Sequence, residues 1–275
     1  MIRNFIIKFI SIIVPVKILN KFKKILKPIV LVMQQLGLDP LKIVSLKNYF
    51  RYRRDKREWI NKGGKITYSQ MVLSDYEDMA GNAKGHYFHQ DLLVANFIYD
   101  NKPRRHIDIA SRIDGFVAHV ASFREVEVVD IRPLERSKHK NIQFVQADLM
   151  NPQNLGETDS LSCLHAIEHF GLGRYNDPIE VDGHIKGIDN LVKLVSNGGH
   201  LYISFPIGQN DEIHFNAHRV FRVDSILKHP SIKENMNLIR FDYVDDVGNL
   251  HTDLKIQDVN ADIKYGCGIY TFEKI

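Results

Sequence analysis

His165, Glu168 and His169 stand together in Leu164-His-Ala-Ile-Glu-His169, directly behind an apolar run. An imidazole with a pKa of about 6.5 can take a hydroxyl proton at neutral pH, so His169 is the candidate general base. Glu168 and His165 are its candidate partners, to orient it or to hold a substrate. The same letters, H-x-x-E-H, also spell an inverted zinc-peptidase motif, which needs a long helix offering both imidazoles to one metal and a downstream acid. Because the stretch follows a strand-like run, acid–base work is favoured, and no obligatory metal cluster is expected.

Three acids carry a second kind of spacing. Asp108 lies within the run His106-Ile-Asp-Ile-Ala110, Asp130 near the end of a second run 22 residues later, and Asp148 shortly after a third. A carboxylate about 20 residues past a first strand-to-helix loop is placed to accept hydrogen bonds from a ribose diol. An ionised acid after the third strand is a pure acceptor, suited to an adenine amino group. Together the three would grip a nucleoside. His214 and His218, four residues apart, would share one face of a helix, fit for substrate contact or a metal. His86, Tyr87 and His89 precede the expected first helix and could close over a bound group.

Such residues need a frame. Short apolar runs at 106–110, 126–131, 142–145, 160–164 and 200–205 read as strands, and they alternate with helical stretches at 91–100, 115–123 and about 185–195. The alternation predicts an α/β chain with a doubly wound, mostly parallel sheet, whose ligand crevice lies beyond the carboxyl ends of the strands.

The chain has 275 residues, 44% apolar and 25% charged, as a folded globular protein has. Its two cysteines, Cys163 and Cys267, sit inside apolar runs. They read as buried thiols in a reducing compartment, with no disulfide framework. Charge is uneven: residues 1–60 hold 14 Lys/Arg against three acids, while the remainder is net acidic. In 1–36, Asn4, Lys8, Ser11 and Pro15 would form a thin polar stripe on an apolar helix. Lys8, Pro15 and Lys17 interrupt the roughly 20 apolar residues that a membrane span needs, and no signal cleavage site is found. The favoured reading is a helix lying in an anionic membrane surface. A helical hairpin on the body of the protein or a dimer interface is the rival. The basic and aromatic run at 47–59 has no nucleic-acid motif beside it and reads as a linker helix near lipid phosphates, so no nucleic-acid partner is expected. The expected organisation is a basic amphipathic extension at 1–60, a linker at 61–85 broken by Asn61-Lys-Gly-Gly64, and one domain at 86–275. The expected location is cytoplasmic, peripheral at the inner face of the membrane, and a homo-oligomer is left open.

Taken in order, Asp108-Ile-Ala-Ser-Arg-Ile-Asp-Gly115, Val129-Asp130-Ile131, Gln146-Ala-Asp148-Leu149, Leu164 to His169 and Asn197 to Pro206 resemble the successive motifs of class I S-adenosylmethionine-dependent methyltransferases. The resemblance covers about residues 86–275. It implies a Rossmann-like methyltransferase fold with a seven-stranded sheet and S-adenosylmethionine as cofactor. Asp108, Ser111, Gly115, Asp130, Ile131, Asp148, Leu149 and His165 would hold that cofactor, while Tyr87, His89, His214 and His218 would face a glycan or other small-molecule acceptor. Gly85-His-Tyr-Phe-His-Gln-Asp91, Ser111 to Phe116, Phe215-Asn-Ala-His-Arg-Val-Phe221 and Tyr265-Gly-Cys-Gly268 resemble, within that superfamily, a methyltransferase-like group found with bacterial surface-polysaccharide enzymes. That likeness implies O-methylation of a sugar. One departure stands out: the loop after the first strand, usually rich in glycine, offers Ala110, Ser111, Arg112 and Asp114 and keeps only Gly115. An inactive scaffold that retains the fold, and a zinc hydrolase, remain the other readings.

Overall fold

The computed structural model describes residues 32–33, 45–151 and 155–275. All but two residues of the amphipathic stretch expected at 1–36 therefore lie outside the described residues. The chain divides into two compact units, Met1–Asn82 and Ala83–Ile275.

In the first unit, helix α1 (Tyr49–Asn61) buries none of its residues. Its charges pair along one face, Arg51 with Asp55 and Glu58 with Lys62, at the i to i+4 spacing that neighbours on a helix surface share. Gly63, at φ 84, turns the chain back, and the Trp59 indole donates to the Lys65 carbonyl at 3.3 Å. Ser69 then meets Tyr52 Oη at 2.5 Å and Lys56 Nζ at 2.9 Å.

The second unit holds one large sheet. Helix α2 (His86–Asn101) enters through Gly85 at φ 99. It starts five residues earlier than the sequence suggests, so His86, Tyr87 and His89 belong to its first turn instead of preceding it. Then come β1 (His106–Ile109), a π-type turn over Ile113–Val117 running into α3 (Ala118–Ala121), β2 (Val126–Asp130), β3 (Ile142–Gln146) and β4 (Thr158–Leu164). Helix α4 (Gly183–Leu194) leads into β5 (Val195–Gly208). A hairpin of β6 (Glu212–His214) and β7 (His218–Arg222), helix α5 (Pro230–Asn235), β8 (Met236–Val244), a two-residue β9 (Leu250–His251) and β10 (Gly266–Lys274) complete it.

The strands lie in the order β3-β2-β1-β4-β5-β10-β8-β9, with β7 attached to β5 and β6 to β7. β3, β2, β1, β4 and β5 run parallel, and β10 lies antiparallel between β5 and β8. This is the α/β, doubly wound, mostly parallel Rossmann-like sheet expected. It is larger than the seven strands implied, because the β9 edge and the β6–β7 hairpin are added to it.

Strand alternation sends side chains to two cores. Ile107 and Ile109 face one, where α4 brings Ile188, Leu191 and Val192. Val126 and Val128 face the other, filled by Val94 and Ile98 of α2 with Phe116 and Val120. Each such side chain contributes about 1.5–3 kcal/mol by leaving water. Sheet order then sets the site: it reverses between β1 and β4, and the crevice of such a sheet opens at that switch point.

Candidate functional site

A cavity of about 480 Å³ opens there. Ala110, just after β1, Asp130, the last residue of β2, Asp148 after β3 and His165 after β4 all line it. Ala110 takes φ 58, a left-handed conformation usually left to glycine. The strained turn survives without its glycine, at about 1–2 kcal/mol for the methyl group. Asp130 accepts from Arg132 through both oxygens, from Nη2 at 2.5 Å and Nε at 3.0 Å. The Arg132 guanidinium lies 4.4 Å over the Tyr175 ring. Asp148 accepts from the Met150 backbone N–H at 2.9 Å, and Ile131 and Leu149 line the wall beside the two acids.

Asp108 does not join them at the rim. It is fully buried, and its oxygens accept from Ser162 Oγ at 2.6 Å, Ser111 Oγ at 2.7 Å and the Ser111 backbone at 3.1 Å. Burial pushes its pKa up to about 6, against the pull of those hydrogen bonds. As the third residue of β1 it points beneath the sheet and ties the loop down from below. Ser111 is spent on the same task and Gly115 lies outside the cavity wall, where a Cβ would come within 2.7 Å of Asp91 Oδ2. The expected grip by three carboxylates therefore reduces to two, Asp130 and Asp148.

The other half of the cavity is rich in imidazole. His165, at φ 49, meets Glu168 Oε1 through Nδ1 at 2.8 Å. Burial opposes a charge there, but the Cys267 sulfur and the Glu168 carboxylate outweigh it and hold the ring's pKa well above 6.5. Glu168 is held below the usual carboxylate range, since His165 overcomes its burial. His169 donates through Nδ1 to the Ala217 carbonyl at 2.8 Å, because a carbonyl only accepts. Its Nε2 therefore carries the lone pair, 3.7 Å from Glu168 Oε1, and burial lowers its pKa. His86 stacks on His165 with ring centroids 5.3 Å apart, and burial, with His165 beside it, pushes its pKa down to about 4.

His165 precedes and His169 ends a short 3-10 turn (Ile167–His169), not a long helix. The two-histidine geometry of an inverted zinc peptidase is absent from these residues. His214 and His218 also differ from expectation: they face each other across the β6–β7 hairpin, ring centroids 5.1 Å apart. His218 lines the cavity, while His214 is exposed and paired with Glu212 at 2.8 Å. Tyr87 lines it too, and His89 does not.

A family model described as "Caenorhabditis protein of unknown function, DUF268" matches residues 118–257, just over half of the chain. The chain belongs to the DUF268 family. No curated protein matches it by sequence. Among solved structures, the N-methyltransferase NodS from Bradyrhizobium japonicum WM9 with S-adenosyl-L-homocysteine is similar at 12% identity and a TM-score of 0.47, over 75% of this chain and 93% of that one. A TehB-like S-adenosylmethionine-dependent methyltransferase from Corynebacterium glutamicum is similar at 14% identity and a TM-score of 0.46, over 82% and 97%. An S-adenosylmethionine-dependent methyltransferase from Clostridium acetobutylicum ATCC 824 is similar at 13% identity and a TM-score of 0.45, over 68% and 91%.

The DUF268 segment contains Asp130, Asp148, Glu168, His169 and His218, while His86 and Tyr265 join the cavity from outside it. Sequence reasoning missed Arg132, Arg174 and Tyr175 on the wall, and it quoted Tyr265 in a motif without giving it a place in the site. Arg174 and Tyr175 sit in a loop that Asp177 ties shut, accepting from the backbone of Gly171, Gly173 and Tyr175. Buried Arg219 of β7 fastens the same loop, donating to the Phe170 carbonyl at 2.7 Å and the Val181 carbonyl at 3.3 Å. The available signal was local: Gly171-Leu-Gly173 followed by Asn176-Asp177 spells a turn that can carry functional side chains.

Proposed function

We propose that the protein is an S-adenosylmethionine-dependent methyltransferase acting on a hydroxyl group of a small polar acceptor, a sugar in surface-polysaccharide synthesis. One observation carries the reading: a single cavity at the sheet's switch point is lined both by Asp130 and Asp148 and by His169, whose Nδ1 is engaged by the Ala217 carbonyl so that Nε2 is left to accept a proton. The volume lies within the range of about 300–1,000 Å³ typical of small-molecule sites. The residues fit the cofactor in kind. Asp130 would receive the ribose diol, Asp148 the adenine amino group, and the turn at Ala110 would leave backbone for the amino-acid end. Bound there, the cofactor supplies an electrophilic methyl group.

The chain's own part is positioning and proton removal. Tyr87, His218 and Tyr265 would hold the acceptor, and orientation of this kind supplies up to roughly 7–11 kcal/mol in favourable systems. His169 Nε2 would take the hydroxyl proton, while the Ala217 carbonyl keeps the ring in the tautomer whose free nitrogen is Nε2. Glu168, 3.7 Å from that nitrogen, would favour the imidazolium once formed.

A catalytically silent scaffold is the second reading, favoured by the capture of both Asp130 oxygens by Arg132. A ribose must displace that guanidinium, so titration calorimetry with S-adenosylmethionine separates the two. Micromolar binding that weakens at least tenfold in Asp130→Ala supports the enzyme, and no heat at all supports the scaffold.

A further inference from the structure

Beside the cavity, three donor atoms from distant parts of the chain converge. His86 opens α2, His165 follows β4 and Cys267 is the second residue of β10, yet one donor atom from each lies within 4.8 Å of the others. Among the described residues this trio is the group so placed. His165 is already held from behind: its Nδ1 is engaged by Glu168 at 2.8 Å, and its buried Nε2 has no hydrogen-bond partner. His86 packs against the His165 and Tyr265 rings, with centroids 5.3 and 5.5 Å away. A ring fixed through one nitrogen by a carboxylate or carbonyl, with the other nitrogen bare, is how histidine is presented to a metal. A buried polar atom left without a partner is destabilising, a penalty that an ion would relieve.

We propose that His86, His165 and Cys267 bind a divalent ion of the zinc class. Two imidazoles and a thiolate favour zinc over magnesium or calcium, which take oxygen ligands. Tetrahedral zinc, with bonds of about 2.0–2.1 Å to nitrogen and 2.3 Å to sulfur, sets its donors roughly 3.3–3.6 Å apart, so the trio, within 4.8 Å now, draws in by about 1.5 Å at most. On binding, Cys267 gives up its thiol proton and His165 the proton on Nε2. These leave to solvent, and nothing is oxidised or reduced. Gln90, whose Oε1 lies 3.7 Å from Cys267 Sγ, and Glu168 form the surrounding shell. His86 and His165 line the cavity while Cys267 is fully buried behind them, so the fourth position falls to water or an acceptor oxygen entering from the cavity. This set shares His165 with the H-x-x-E-H letters but not His169.

The test uses the full-length protein, stripped with a chelator, loaded with zinc chloride, desalted and assayed by elemental mass spectrometry. One zinc per chain is expected, falling at least tenfold in His86→Ala and in Cys267→Ser, and unchanged in the surface variant His139→Ala. Cobalt loading of the unmutated protein reads sulfur ligation without relying on any variant, through a sulfur-to-cobalt charge-transfer band in the near ultraviolet. Absence of both retained zinc and that band overturns the proposal, as does a folded Cys267→Ser protein that keeps the band. Metal content is read independently of S-adenosylmethionine binding, so either reading can fail alone.

Discussion

His169 owes its proposed role to one hydrogen bond. With Nδ1 donating to the Ala217 carbonyl, proton uptake is left to Nε2, and burial lowers the ring's pKa below its ordinary value. The base is consequently free at neutral pH and stays free some way into acid. Turnover should be flat from pH 8 to pH 6.5 and fall only below that, where the ring becomes protonated and cannot accept the hydroxyl proton. His169→Gln should lower kcat about 10²–10⁴-fold while changing S-adenosylmethionine affinity less than threefold, because its Nδ1 hydrogen bond runs to the Ala217 carbonyl and not to Asp130 or Asp148. A variant that loses affinity and keeps kcat would place His169 in binding instead. Single residues of this sort were half legible in the sequence. The letters of Glu168 and His169 stood out, and their chemistry is set by type. What the letters could not carry is the partner: Ala217 lies 48 residues away, and no local pattern announces that its carbonyl selects a tautomer.

Between β1 and β4 runs a stripe of buried polar groups that exposes the same limit at the level of elements. His106 is within hydrogen-bond distance of Ser160 Oγ at 2.8 Å and Ser162 Oγ at 3.2 Å, and Ser162 donates onward to Asp108. Burial, with Arg124 adding to it, pushes His106 down to about 3. Below pH 6.5 the unfolded chain binds a proton that the folded one refuses, so this group's contribution is intact above pH 6.5 and lost as pH falls. From pH 7.5 to pH 5 the loss is about 2 kcal/mol. Asp108 acts in the opposite sense: raised to about 6, it favours the folded state below its unfolded value of 3.8 and loses that advantage as pH rises through 6. Comparing wild type with His106→Gln isolates the histidine. Urea unfolding should show the variant gaining about 2 kcal/mol on wild type between pH 7.5 and pH 5, and parallel pH profiles would refute the assignment. β2 was readable as a short, mostly apolar run, and β1 and β4 by alternation, Ile107 and Ile109 or Leu161 and Cys163 taking turns with polar neighbours. The β6–β7 hairpin was not, since its first strand, Glu212–His214, is exposed throughout and leaves no alternation to read. The start of α2 was hidden for a related reason: Gly85 provides the entry by its positive φ, not by a capping side chain.

Over the whole molecule, charge is the property that sequence alone makes plain, and it bears on where the protein works. Fourteen Lys/Arg against three acids in residues 1–60 contrast with 23 against 30 in the rest. No helix among the described residues is long and apolar enough to cross a membrane. Lys8, Pro15 and Lys17 interrupt the apolar run of residues 1–36, so the proposed anchor is peripheral, an apolar face laid into the lipid with lysines at the headgroups, each basic side chain near an anionic surface adding about 1 kcal/mol. Attraction of this kind is screened over about 10 Å at 0.1 M salt, and the apolar part of the binding is not. Full-length protein should pellet with vesicles containing phosphatidylserine, weaken several-fold as salt rises from about 0.05 to 0.5 M, and retain a remainder from apolar burial. Vesicles of neutral lipid should hold only that remainder. Deleting residues 1–60 should leave the protein in the supernatant under every condition. If the shortened chain still pellets as well as the full one, binding belongs to the net-acidic body. If neither chain pellets and the full one elutes as a dimer that the deletion dissolves, the basic segment serves self-association and the membrane reading is lost.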